Sequence, residues 1–552
     1  MKKNTFVEGT IFASMAFLII KVLGAVYVIP FYAIVGTLGG ALYSYAYTVY
    51  SLIVNICTIG IPSAISKIVS EYNTLEMYEA KERTLKIGNK MITVMSSILF
   101  LIMFIFAKQI AYIFIGDIDT SGNSIEDVVL VIRAISFCIL IVPYLAIKKG
   151  YLQGQKFVTA SSNSEVLEQF VRVSIIIFGS YLAIKVFHFK TSVGVAVAVF
   201  GAFIAGLAAY IYLQIKIRKN KDKLNLPKKD YKDKVEDKTI LRKIIKFSIP
   251  LLIISISTDV YCMTDLSLVI RGLSYLGYDG ATAEIIASVI STWAMKICLI
   301  VNAITLGLSV NIIPHMVANY IKKDYKAINN QFTKSIGIAL VIGLPMIVGI
   351  SILSHELYYI FYGESEFGGI ILRLLPYAIF MSSINLVINS VLQSLSKYKV
   401  IYLSTISGLA TNALLDIPLM ILCNKIGIYT YYGAIFATLI GSSLSAFIAL
   451  RALKKSMNFE YKDILKIMLK QLIPLGSMVV IVMIAQYFMK DLFVGGRLIL
   501  LIPCLIYALI GAIVYGIISY KMGLLNTVLG DEYIDSLMKK LKLKRSYEVN
   551  PK

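Results

Sequence analysis

The chain has 552 residues, 58% of them hydrophobic and only 16% charged. A soluble domain carries about 25% charged residues, so the composition excludes a water-soluble globular fold and points to the bilayer. Lys and Arg number 54 against 32 Asp and Glu, a formal charge of +22; the excess lies between apolar stretches instead of forming one basic face, which excludes nucleic acid as a partner.

Apolar runs long enough to cross about 30 Å of hydrocarbon predict fourteen spans, near 11–35, 41–62, 89–115, 128–148, 162–186, 192–215, 247–271, 286–311, 334–360, 369–393, 400–423, 429–450, 466–488 and 497–520. The expected fold is an all-α polytopic membrane protein. Its organisation reads as an N-lobe over 1–215, a basic linker over 216–246, a C-lobe over 247–455, a last helix pair over 456–522 and a basic tail over 523–552. The linker carries thirteen Lys and Arg against five Asp and Glu and is expected to be solvated beside anionic lipid. The mixed-charge segment 63–86, and residues 533–543 of the tail, are expected to form interfacial helices.

With an even number of spans both ends lie on one side. The connectors of that side hold Lys2, Lys3, Lys67, Lys81, Arg83, Lys86, Lys148, Lys149, Lys156, Lys322, Lys323, Lys326, Arg451, Lys454 and Lys455, whereas the opposite connector near 116–127 is acidic. Both termini are therefore expected to be cytoplasmic in a multi-pass protein. The first apolar run is too long for a cleavable signal and is followed by further spans. The six cysteines form no CxxC pair, and His188, His315 and His355 stand far apart, so neither a disulfide framework nor a zinc site is expected.

The fourth span runs from Arg133 to Gln153 and the tenth from Arg373 to Gln393, an offset of 240 residues at both polar landmarks; Lys156 and Lys397 follow one residue out of step. Six spans return the chain to the same side, so a duplication would relate the lobes by an axis along the membrane normal. The last two spans have no counterpart.

Charges at membrane depth cost about 2.5–3.5 kcal/mol on insertion scales and mark function. Lys21 lies mid-span in LIIKVLGAVYVIP and Lys296 at comparable depth in STWAMKICLIV. Two such cations facing a cleft suit an anionic substrate, above all a phosphate or diphosphate; the alternative is pairing with a membrane carboxylate such as Glu165 or Asp265. Glu165, Glu168 and Arg172 share one face of the fifth span, either as an ion network or as cavity lining. Asp265 in the seventh span, Asn412 and Asp416 one turn apart in the eleventh, and Thr438 in the twelfth offer oxygens for a hard cation such as Na⁺, a proton site or plain interhelical hydrogen bonds.

The stretch IKVLGAVYVIPFYAIVGTLGGALYSYAYTVYSLIVNICTIGIPSAISKIVSEYN, followed by VIRAISFCILIVPYLAIKKGYLQGQ and SEVLEQFVRV, resembles the MurJ-type lipid II flippases of Gram-positive bacteria, within the multidrug/oligosaccharidyl-lipid/polysaccharide exporter superfamily. The resemblance runs from about Lys3 through the fourteenth span. It implies fourteen helices in two six-helix lobes, with a last pair forming a groove for the polyprenyl tail. It further implies that Lys21 matches the family's first-span cation and that Lys296 falls within one residue of its eighth-span Arg. Tyr27, and the region of Val54 and Asn55, stand where the family carries further Arg; Lys67, just after the second span, is left as the compensating cation. Asp265, Asn412, Asp416 and Thr438 resemble the residues that bind Na⁺ in some members.

The expected function is alternating-access flipping of an undecaprenyl-diphosphate-linked head group, most specifically lipid II, across the bacterial cytoplasmic membrane by a monomeric transporter without cofactor, with Lys21, Lys67 and Lys296 holding the diphosphate. Membrane potential or Na⁺ would supply the energy. The partners are the polyprenyl-linked glycan and membrane lipids. The alternatives are a flippase for a spore-cortex, capsule or other glycan, a cation-coupled drug exporter of the same superfamily, and an enzyme of polysaccharide synthesis. No Walker A motif or catalytic constellation supports the last.

Overall fold

The computed structural model describes residues 26–58, 60–116, 122–155, 157–220, 235–457, 459–489 and 499–529, with isolated positions before 26, at 224 and at 496–497. Every element among the described residues is helical. Among the described residues twelve helices are long and apolar enough to cross a membrane, and they fall on the predicted spans two to six and eight to fourteen. The first half of span one lies outside the described residues. Span seven falls on the helix Asp237–Tyr275.

Breaks in the long helices follow from backbone chemistry. The run Val28–Thr58 is interrupted at Gly36, where φ is +71°, a left-handed conformation that costs a residue with a Cβ. Gly36 thus ends span one and lets span two start. Past Thr58 a second helix, Gly60–Thr74, carries Pro62 in its first turn, where a missing N–H leaves no helical bond unmade. In span four the helix Ile125–Ser136 gives way to a 3₁₀ turn at Phe137–Leu140 before the helix Val142–Gly154 resumes with Pro143 near its start; the proline cannot donate to Ile139, so the tighter turn takes its place. The segment 63–86 is not the separate interfacial helix that its charge pattern suggests. It is the end of Gly60–Thr74 and the start of Tyr78–Ile105.

Corresponding joints in the two halves share backbone geometry. Glu76 and Lys323 both adopt positive φ, 58° and 57°. Met77 N–H donates to the Tyr72 carbonyl at 2.9 Å, and Asp324 N–H to Asn319 at 3.0 Å. Each turn is followed by a 28-residue helix, Tyr78–Ile105 or Tyr325–Ile352, and then by a short one, Ala107–Phe114 or Ser354–Tyr362. After spans four and ten, Phe157 N–H donates to Leu152 at 2.9 Å and Lys397 N–H to Leu392 at 2.8 Å, and the next helices start at Val158 and Tyr398. These latter pairs keep the 240-residue offset of Arg133 and Arg373 in step.

By contacts the chain divides into two compact units, 1–291 and 292–552. In the first, the helix Asp237–Tyr275 is tied at one end by Lys243 to Glu71 at 2.7 Å and Arg83 to Asp237 at 3.2 Å. At its other end Ser267 and Arg271 donate to the Ile113 carbonyl at 2.6 and 3.1 Å. The Lys243–Glu71 hydrogen bond raises the Lys243 pKa. Leu224, from the basic linker, is buried in an apolar cluster with Leu145, Leu152, Phe157 and Leu213. Its carbonyl accepts from the buried Lys81 ammonium at 2.7 Å, which also reaches Gln155 and Asn73. The linker therefore docks at Leu224, and Lys81 is corrected from a solvated connector charge to a buried one.

In the second unit, spans eleven and twelve, Tyr398–Lys425 and Tyr432–Met457, pack closely. A Cβ at Gly441 would lie 2.5 Å from the Gly408 carbonyl oxygen, so this crossing depends on small residues, the usual device where lipid gives helices no hydrophobic drive to associate. Spans thirteen and fourteen, Lys462–Met489 and Leu501–Lys521, pack on each other and are bridged by Gln471 donating to the Tyr515 hydroxyl at 3.0 Å. Their outer faces, with Leu472, Ile473, Val480, Leu505 and Leu509 exposed, are apolar, as contact with lipid requires.

Candidate functional site

Span five supplies the densest ionisable cluster among the described residues. Helical periodicity turns Glu165, Glu168 and Arg172 to one side, and Arg172 Nη2 lies 2.6 Å from Glu168 Oε1. Lys149, from the end of span four, joins them: its Nζ is 2.9 Å from Glu168 and 3.8 Å from Glu165. Lys149 is thus corrected from a connector charge to a member of this network. Two carboxylates face two cations, so each buried charge is compensated. The buried Arg172 Nε has no hydrogen-bond partner among the described residues, and the guanidinium lies within electrostatic range of Tyr47 and Tyr50 on span two. Directly after the network the helix widens into π turns at Ile175–Gly179 and Leu182–Val186, a distortion frequent at functional sites.

Span two contributes a polar stripe. Tyr47, Ser51 and Asn55 recur every four residues, one above another on a helix. The Asn55 amide donates to the Asp259 carboxylate at 2.6 Å. Asp259, 8% exposed on the seventh-span helix, was not among the sequence candidates; the signal for it was that this span holds two acids, Asp259 and Asp265. A further unforeseen carboxylate is Glu284, 2% exposed, which accepts from the Asn123 amide at 2.5 Å and from its backbone N–H at 3.0 Å.

Lys21 lies outside the described residues. Lys67, on the helix Gly60–Thr74, is exposed and holds its ammonium 4.0 Å from the Phe247 ring centroid. Lys296 is half-buried with its ammonium 4.3 Å from the Trp293 ring, one turn beyond a π turn at Val289–Trp293. Trp293 is itself fixed by Tyr362, whose hydroxyl donates to its carbonyl at 2.7 Å. Cation–π contact offsets part of the cost of placing an ammonium in low dielectric.

Three of the four cation-site candidates lie in the second compact unit, where they meet. Asn412 Nδ2 donates to Asp416 Oδ1 at 3.3 Å and to Thr438 Oγ1 at 3.2 Å. Asn412 and Asp416 are fully buried, and Asn412 Oδ1 accepts no hydrogen bond among the described residues. As placed, the amide nitrogen faces the carboxylate and the hydroxyl; turning the amide over would bring its unpaired oxygen beside theirs, a donor set that suits Na⁺. Asp265 lies on the seventh-span helix in the first compact unit, near Tyr261 and Cys262. Among the described residues no three His, Cys, Asp or Glu cluster as a metal site would require.

Two family models match the chain, the polysaccharide biosynthesis protein family over residues 6–278 and MatE over 283–417. The chain is 29% identical over 536 residues to the lipid II flippase MurJ of Bacillus subtilis (strain 168), spanning 96% of this chain and 97% of that one. It is 22% identical to the stage V sporulation protein B of the same organism, over 66% of this chain and 68% of that one. Among solved structures, an inward-facing multidrug resistance MATE family transporter of the MOP superfamily superposes with a TM-score of 0.63 at 14% identity, covering 80% of this chain and 99% of that one. A MOP superfamily transporter from Pyrococcus furiosus gives 0.54 at 12% identity, over 82% and 97%.

The all-helical membrane fold is thus similar to that of MATE family transporters of the MOP superfamily. In sequence the chain is similar over nearly its whole length to the lipid II flippase MurJ of Bacillus subtilis.

Proposed function

We propose that the chain flips lipid II, an undecaprenyl-diphosphate-linked peptidoglycan precursor, across the bacterial cytoplasmic membrane by alternating access. The observation that carries this reading is the extent of the likeness. The drug-transporter structure is covered almost whole yet leaves a fifth of this chain unmatched, whereas the MurJ flippase matches 96% of it. The fold is then fourteen spans in two parallel-repeated six-helix lobes, with spans thirteen and fourteen added as a groove for the polyprenyl tail. The repeated turns at Glu76 and Lys323 support the duplication. Both termini face the cytoplasm and the transporter works as a monomer.

In this reading Lys21, Lys67 and Lys296 hold the diphosphate as point charges, and the lobes rock about it. Asn412, Asp416 and Thr438, with Asp265 contributed by span seven, bind Na⁺; alternatively, membrane potential acts on the cationic site at about 2.3 kcal/mol per charge per 100 mV. A strain depleted of its own lipid II flippase tests the function. Expression of this chain restores growth and clears cytoplasm-facing lipid II; accumulation of the lipid despite normal protein levels sinks the assignment and leaves another polyprenyl-linked glycan as cargo.

A further inference from the structure

We propose that Tyr47, together with Glu165 and Arg172, forms a subsite for the ring of an uncharged sugar in the lipid-linked head group; this rests on the flippase reading above and names which part of the cargo these residues take.

Three observations carry it. Tyr47 is 37% exposed although it sits within a membrane span, and its ring stacks on that of Tyr43 with centroids 5.7 Å apart and planes 13° apart. Tyr43 is in turn hydrogen-bonded to the Tyr27 hydroxyl at 3.2 Å, so the stack is held from behind. The stripe that Tyr47 heads continues through Ser51 to Asn55, which pairs with Asp259; a face with that polarity is not one that lipid covers. Arg172 lies within electrostatic range of Tyr47 and Tyr50 and belongs to the charge-balanced network with Glu165, Glu168 and Lys149. Glu165 is its loosest member, 3.8 Å from Lys149 with its side chain 38% exposed, and Arg172 Nε carries a buried donor without a partner among the described residues.

Chemistry selects the ligand class. A free phosphate approaching this face meets two carboxylates, and a flat apolar drug leaves the Arg172 Nε donor unsatisfied. A pyranose satisfies both kinds of group. The C–H bonds of one ring face lie against the negative face of an aromatic ring, its hydroxyls donate to Glu165, and a ring or amide oxygen accepts from Arg172. Because the network is neutral as a whole, it favours a sugar without net charge.

The test uses the full chain in nanodiscs and two competing probes, undecaprenyl diphosphate and the same lipid bearing an uncharged disaccharide, read by native mass spectrometry. The wild type favours the glycosylated lipid. Tyr47→Ala lowers that preference about fivefold, the order expected for loss of one stacking contact, whereas Tyr47→Phe keeps it. Glu165→Gln also lowers it and provides a second variant should Tyr47→Ala fail to fold. An unchanged ratio in both Tyr47→Ala and Glu165→Gln overturns the subsite, as does equal binding of the two lipids by the wild type. Binding of neither lipid above a phospholipid control overturns the flippase reading itself.

Discussion

Lys149 and Glu168 meet at 2.9 Å across the joint between spans four and five. The same carboxylate accepts from Arg172 at 2.6 Å, so one Glu compensates two cations. Removing it as Glu168→Ala leaves both cations short of a counter-charge and is expected to destabilise the protein by about 3 kcal/mol. The double variant Glu168→Ala/Lys149→Met recovers part of that loss. Thermal unfolding in detergent across the four variants of the cycle measures the coupling; strictly additive effects would mean the contact contributes nothing.

Lys296 is held over Trp293 and is assigned to the diphosphate. Lys296→Ala is expected to lose complementation of a flippase-depleted strain, with Lys296→Arg retaining most of it because charge and cation–π contact both survive. Growth with the alanine variant at normal protein levels would remove Lys296 from the clamp.

The Asn412, Asp416 and Thr438 cluster is expected to bind Na⁺. Excess Na⁺ should then raise the thermal midpoint of the wild type, by an amount equivalent to about 2.7 kcal/mol at a hundredfold excess over Kd, and Asp416→Asn should abolish the rise. Equal shifts with Na⁺ and K⁺ would leave only an interhelical hydrogen-bond cluster.

Gly441 lets spans eleven and twelve approach until a Cβ would strike the Gly408 carbonyl, and the same Cβ would press on Asn412. Gly441→Ala is therefore expected to cost about 1–3 kcal/mol by overpacking and to weaken any Na⁺ response, because it displaces Asn412. Unaltered unfolding and Na⁺ response in this variant would show that the crossing tolerates separation.

The spans were legible because hydrophobic length is a property of each segment alone, and Glu165, Glu168 and Arg172 were legible because their spacing is a property of one helix. Lys149 and Asp259 were not. Their partners lie on other helices, and periodicity assigns a residue to a face without saying what packs against it. The joint at residues 76 and 323 was hidden for a different reason: Glu76 and Lys323 have opposite charge, and what they share is a backbone angle.

Lys81 shows that one cation can serve at two moments in the life of the chain. During insertion the nascent hairpin is read by its positive flank, and in the proposed topology Lys81 lies on the retained side. Once folded, the same ammonium is sealed from water against the Leu224 carbonyl and no longer samples lipid or solvent. Orientation and packing are thus sequential demands, and a Lys81→Met protein already oriented by its neighbours would reveal only the second.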